Sequence, residues 1–223
     1  MKDIQAVLFD FDNTLGNRYR YAYLTYNRFL DEFVPQAKED KVLREEMLQN
    51  LLTWDQLGNV SQQYVMRRLA EEYDLDLGDL DPVQWWIENQ YKNVCVFPDC
   101  VDTLKELKKR YRLGILSNGN SFSQHRKIDH SGIREFFDVI VVSGDLAFAK
   151  PDVRIFEYTA GLLGLRTRQC VMVGDTFSKD ISGALRSGMT AVWMWPDDIS
   201  RPCSLAVPVI HRLSELPALL EQG

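Results

Sequence analysis

Two carboxylates close the first apolar run of this sequence: AVLFDFDNTL, residues 6–15, carries Asp10 and Asp12 with Asn13 and Thr14 directly behind them. Val7, Leu8 and Phe9 form the continuous apolar stretch of a strand buried on both faces of a parallel sheet, and such sheets bind ligands beyond the carboxyl ends of their strands. Residues two apart in an extended chain point the same way, so Asp10 and Asp12 are expected to share a direction. Paired acids beside apolar surroundings are tolerated where a cation or a reacting group offsets their repulsion, and a divalent metal is the simplest such group. One acid of the pair can coordinate metal and attack an electrophile while its neighbour handles a proton, if their surroundings hold the two pKa values apart. A capped helix start with solvated acids is the bland alternative for an isolated Asp-x-Asp; the strand leading into this one favours chemistry.

Three later segments have the same placement. Leu116-Ser117-Asn118-Gly119 puts a hydroxyl and a glycine turn between a strand and a helix, where O–H and backbone N–H donors can meet an anionic oxygen; it is equally an ordinary turn and cap. In Lys150-Pro151-Asp152 the proline suits the first position of a helix, and Lys150 before it would aim an ammonium at the strand ends. Val173-Gly174-Asp175 ends the apolar strand CVMVG on a glycine that permits close backbone approach, with Asp180 five residues on. Asp180 is either a helix N-terminal acid or a support for a metal. Asp10, Asp12 and Asp175 are a small set of hard oxygen ligands that leaves room for water, which suits Mg²⁺ better than zinc.

The elements needed to bring these segments together follow from periodicity. Residues 17–94 read as four helices, 19–34, 38–53, 61–73 and 83–93, with apolar residues such as Leu43, Met47 and Leu51 recurring at three to four positions. After Pro98 helices at 99–110, 121–130, 152–164 and 179–187 alternate with strands at 112–117, 138–143, 169–174 and 189–194, and PVIHRLSELPALL supplies a short strand, 207–210, and a closing helix. Such alternation predicts parallel strands with crossover helices on both faces. The expected fold class is therefore α/β: a core of residues 1–16 and 95–223 that includes strand 4–10, with a four-helix subdomain inserted at 17–94 and placed over the catalytic end as a lid. Most aromatics of the insert (Tyr19, Tyr21, Tyr23, Tyr26, Phe29, Trp54, Trp85, Trp86) are expected in its own core. Arg18 and Arg20 are candidates to meet a second anionic group on a substrate.

Composition narrows the function classes. The 223 residues suit one core domain with a smaller insert. A formal net charge of −6 gives no overall attraction to nucleic acid or anionic membranes. Cys95, Cys100, Cys170 and Cys203 lack zinc-site or disulfide-framework spacing. No apolar run approaches a membrane span, and the opening MKDIQAVLFDFD lacks a leader's apolar stretch and cleavage site, so a cytoplasmic protein is expected.

Taken in order, DFDNT, SN, KP and GDTFSKD resemble the four motifs of the haloacid dehalogenase superfamily of phosphohydrolases, and the match spans the chain. The insert after the first motif is similar to that family's helical C1 cap, which implies a Rossmann-like three-layer core. The resemblance further implies that Asp10 is the nucleophile that forms an aspartyl-phosphate. Asp12 would be the general acid and base and, through its carbonyl, a metal ligand. Ser117, Asn118 and Gly119 would hold the phosphoryl oxygens, and Lys150 would neutralise charge on the nucleophile and phosphoryl group. Asp10, Asp12, Asp175 and Asp180 would form the Mg²⁺ site. Within the family, the acid at Asp12 favours phosphate esters over alkyl halides, whose leaving group needs no proton. Lys38, Lys41 and Lys92 stand in no motif for phosphonate cleavage. The expectation is a hydrolase of a small phosphate ester, monomeric or dimeric, with a sugar-phosphate mutase and a catalytically idle binding module as alternatives.

Overall fold

The computed structural model describes residues 3–195 and 203–221. Two compact units form, one from the residues up to Gly16 together with Val96 onward, the other from Asn17–Cys95.

The first unit is built on six parallel strands: β1 (Ala6–Phe9), β2 (Arg112–Ser117), β3 (Val139–Val142), β4 (Cys170–Gly174), β5 (Thr190–Met194) and β6 (Val209–Ile210). Their order is β3-β2-β1-β4-β5-β6. Every pairing is parallel, with Phe9 opposite both Ile115 and Val173. The joining helices are α6 (Cys100–Lys108), α7 (Ser121–His130), α8 (Val153–Leu162) and α9 (Ser182–Arg186), and α10 (Leu216–Glu221) follows β6. Because side chains alternate along a strand, Ala6 and Leu8 join Ile155, Phe156, Ala160 and Ala184 of α8 and α9 in one core cluster, while Val7 and Phe9, equally buried, face the other side. This two-faced burial explains the unbroken apolar run before Asp10. Strand order reverses on either side of β1, which creates the crevice in which open parallel sheets bind ligands.

Three expectations need correction in this unit. The first strand ends at Phe9, so Asp10 and Asp12 lie in the loop beyond it and strand alternation does not govern their directions. Pro151 is not the first residue of a helix: α8 starts at Val153, where the Asp152 side chain accepts from Arg154 N–H, and Pro151 stands before that cap on a cis peptide. The helix expected from residue 179 is preceded by one π-helical turn, Phe177–Ile181, with α-helical geometry only from Ser182.

The second unit holds α1 (Arg18–Phe33), α2 (Pro35–Glu39), α3 (Lys41–Asp55), α4 (Gln62–Glu72) and α5 (Pro82–Asn89). The helix expected at 38–53 begins later because Asp40 caps α3, accepting from Val42 and Leu43 N–H, and ends the short α2 before it. Ser61 and Asp81 cap α4 and α5 in the same way. The core takes Tyr26, Phe29, Leu30, Met47, Leu48, Leu51, Val65, Leu69 and Trp86. Of the aromatics named for this core, most are buried or half-buried, and Tyr19 is half exposed. Arg18, a candidate for a substrate anion, is buried instead: its guanidinium meets Asp55 at 2.7 and 3.2 Å, and Tyr26 and Gln62 also bond that carboxylate. No helix among the described residues is long and apolar enough to cross a membrane.

Candidate active site

The carboxyl ends of β1, β2 and β4 bring three of the four segments to the crevice, and the loop after β3 adds the fourth. Asp10 follows β1, with its N–H bonded to Val173 O at 2.9 Å, so the backbone ladder fixes its place beside β4. Lys150 lies between the segments: its Nζ is 2.9 Å from Asp10 Oδ1, 2.7 Å from Asp180 Oδ1 and 2.8 Å from Leu116 O. Its main chain is tied to the second segment by a reciprocal pair, Asn118 Nδ2 to Lys150 O and Lys150 N–H to Asn118 Oδ1, both 2.9 Å.

Asp180 approaches Asp10 and Asp175 because the π-helical turn carries it back over the end of β4. Its Oδ2 accepts the Thr176 N–H at 2.9 Å, and a Cβ on Gly174 would come within 2.5 Å of its side chain. Gly174 is therefore required by close approach, as its position at the strand end suggested. Asp180 is 1% exposed, which rules out a solvated helix-start acid. The carbonyl of Asp175 accepts from Trp193 Nε1 at 2.8 Å.

Electrostatics mark the same cluster. Burial, reinforced by the charges of Asp10 and Asp180, pushes Asp175 well above the usual carboxylate range. Burial likewise raises Asp180 to about 6, with Lys150 pulling the other way. Burial alone would lower Lys150, but Asp10 and Asp180 outweigh it and hold the ammonium above its ordinary value. One oxygen from each of Asp10, Asp175 and Asp180 lies within 4.8 Å of the others. Three hard oxygens, two of them on carboxylates that burial raises above the usual range, fit an oxygen-seeking divalent cation.

Asp12 stands apart from this cluster. Lys127 Nζ lies 2.8 Å from its Oδ1 and 2.5 Å from its Oδ2, and Gln124 Nε2 lies 3.1 Å from Oδ2. Gln124 also reaches Ser117 Oγ at 3.0 Å and Asn118 O at 2.8 Å. Ser117 is buried at the end of β2, and the Gly119 N–H donates to Ser143 Oγ at 3.1 Å. Sequence reasoning passed over Lys127 and Gln124. The available signal was a polar inner face on α7: Ser123, Gln124 and Lys127 are buried beside Ile128 where apolar residues are the rule.

A doubly covered parallel sheet with clustered carboxylates and a lysine at its switch point, and a separately held acid two residues from the first, defines an α/β enzyme of the metal-assisted hydrolase type. The chain belongs to the haloacid dehalogenase-like hydrolases, whose family pattern matches residues 7–194. It is 33% identical, over 97% of its own length and 100% of the relative's, to glyceraldehyde 3-phosphate phosphatase of Methanothermobacter thermautotrophicus. It is 37% identical to N-acylneuraminate-9-phosphatase of Homo sapiens, over 70% of this chain and 60% of that one. Among solved structures, the HAD-hydrolase YfnB from Bacillus subtilis bound to magnesium superposes with a TM-score of 0.78 over 98% of this chain and 99% of that one, at 24% identity.

Proposed function

We propose that this protein is a Mg²⁺-dependent phosphomonoester hydrolase that acts on a small phosphorylated metabolite through an aspartyl-phosphate intermediate. The observation that carries this is the division of the two acids: Asp10 sits against Lys150 in the carboxylate cluster, whereas Asp12 sits against Lys127 and Gln124. Two carboxylates in two environments are what a nucleophile and a general acid require of adjacent residues. The names of the relatives, glyceraldehyde 3-phosphate and N-acylneuraminate-9-phosphatases, support a small phosphorylated carbon compound as substrate. The scattered cysteines, with no paired short spacing, fit reduced thiols in a cytoplasmic enzyme, and a monomer or homodimer is part of the same proposal.

Asp10, Asp175 and Asp180 would hold the cation, joined by the Asp12 carbonyl. When bound it would supply charge neutralisation for the phosphoryl oxygens. Asp10 Oδ attacks phosphorus as the ester P–O bond breaks, and Asp12 gives its proton to the departing alkoxide, releasing alcohol. Water then attacks phosphorus, Asp12 takes its proton, and the Asp10–phosphorus bond breaks to release inorganic phosphate. Ser117 Oγ and the Asn118 N–H hold the phosphoryl oxygens, and Lys150 balances the charge on Asp10 throughout.

The test is phosphate release with and without Mg²⁺ from p-nitrophenyl phosphate, glyceraldehyde 3-phosphate, N-acylneuraminate 9-phosphate, nucleoside monophosphates and hexose phosphates. Mg²⁺-dependent release that disappears in Asp10→Asn, by about 10³-fold or more, is expected. Undiminished release by that variant removes Asp10 as nucleophile; isomerisation of a sugar phosphate without release would make the protein a mutase.

A further inference from the structure

We propose that Lys127 and Gln124 are positioning residues that orient the Asp12 carboxylate for proton exchange with the leaving alcohol, a role that depends on Asp12 acting as the acid and base proposed above. The two residues lie three apart in α7 and so share one face of that helix. Together they place three contacts on one carboxylate: Lys127 on both oxygens and Gln124 on Oδ2 alone. The amide of Gln124 has one workable orientation, because Asp12 Oδ2 and Asn118 O are both acceptors and its NH₂ end must face them.

Neutralising Asp12 would need only an exposed cation. Here the lysine is 2% and the glutamine 3% exposed, and burying both polar ends costs free energy that a surface pair avoids. The Lys127 ammonium also lies 5.7 Å from the centre of the Phe11 ring, the residue between the two acids, so its site is shaped by the loop that it serves. Gln124 reaches Ser117 Oγ as well, and one side chain thereby spans the phosphoryl-binding segment and Asp12. Gly119 leaves the space for this: a Cβ there would lie 2.8 Å from Gln124 Cγ. A carboxylate held by Lys127 alone retains rotation about its terminal torsion, and a donor on one chosen oxygen removes it. Displacing a reacting group by about 1 Å costs on the order of 10²-fold in rate.

The experiment compares the rate of phosphoenzyme formation, by rapid quench, from p-nitrophenyl phosphate and from an alkyl phosphate such as glyceraldehyde 3-phosphate. Nitrophenolate leaves without a proton, whereas an alkoxide needs one. Lys127→Met is expected to shift the ratio of the two rates against the alkyl ester by about tenfold or more. Gln124→Leu should shift it the same way by less, and Lys127→Arg should recover part of the loss. Equal losses on both esters, or none, would overturn the positioning role and leave a structural one. If Lys127→Met does not fold, the ratios of the other two variants decide. A wild-type protein that forms no phosphoenzyme on Asp10 would overturn the proposed function first and this role with it.

Discussion

Replacing Asp180 with Asn should remove a pH dependence from the stability of the metal-free protein. Asp180 is buried, and burial raises its pKa from 3.8 to about 6 against the opposing pull of Lys150. Between those values the folded chain retains a proton that the unfolded chain has released. The stabilising contribution is therefore complete below about pH 4 and is lost as pH rises through 6. A shift of roughly two pH units corresponds to about 3 kcal/mol. Asn keeps an oxygen for the Thr176 N–H and does not titrate. Urea unfolding of both proteins in chelator from about pH 4 to 7.5 gives the difference in unfolding free energy, in which the effects of acids remote from Asp180 cancel. That difference, wild type minus variant, should fall by about 3 kcal/mol as pH rises. Saturating Mg²⁺ should shrink the fall, because a cation on Asp180 favours its ionised form. A difference that stays flat, or rises with pH, would refute the argument that burial rather than Lys150 governs this carboxylate.

Two further substitutions probe packing. Arg18→Met strips the bidentate partner from buried Asp55 and should destabilise the helical unit by about 3–5 kcal/mol; hydrogen exchange should show the loss in residues 17–95, and a loss under about 1 kcal/mol would mean that Tyr26 and Gln62 suffice. Gly174→Ala drives a methyl group to within 2.5 Å of Asp180 and should weaken Mg²⁺ binding, measured by calorimetry, by roughly tenfold or more; unchanged affinity would remove Asp180 from the cation site.

Much of this architecture was legible because strand ends leave clear marks. An apolar run that stops on a polar residue locates the end of a buried strand, and Asp10, Ser117 and Asp175 each follow such a run or close it. Lys150 was legible only by its place in the ordered set, since Lys-Pro alone is an ordinary turn. What the pattern could not show was which partner each side chain would choose. Asp10 and Asp12 are two residues apart in sequence yet end on different lysines, because β1 stops one residue before Asp10 and the loop redirects the second acid towards α7. Arg18 follows the first motif as a substrate-binding arginine would, but it starts a helix whose inner side offers Asp55, and a buried bidentate pair is a stronger competitor than solvent. Lys127 and Gln124 were hidden because a helix of mixed polarity gives no direction until its neighbours are known.

Charge balance explains why two lysines accompany four acids. Asp10, Asp12, Asp175 and Asp180 carry four negative charges when ionised, and Lys127 and Lys150 carry two positive ones, an excess of two that equals the charge of one divalent cation. Burial, with the charge of neighbouring carboxylates, raises Asp175 and Asp180, so both hold a proton more readily than a free carboxylate does. The same two groups are among the proposed cation ligands, so cation binding would favour release of any proton they hold. With all four acids ionised, a phosphate dianion entering before the cation would meet like charge, and one entering after it would meet a neutral site. The lysines divide the remaining work: Lys150 touches Asp10 and Asp180, and Lys127 touches Asp12. Lys150 holds the proposed nucleophile and Lys127 the proposed proton carrier, so the charge on Asp10 could be spent in bond formation while Lys127 keeps Asp12 in place.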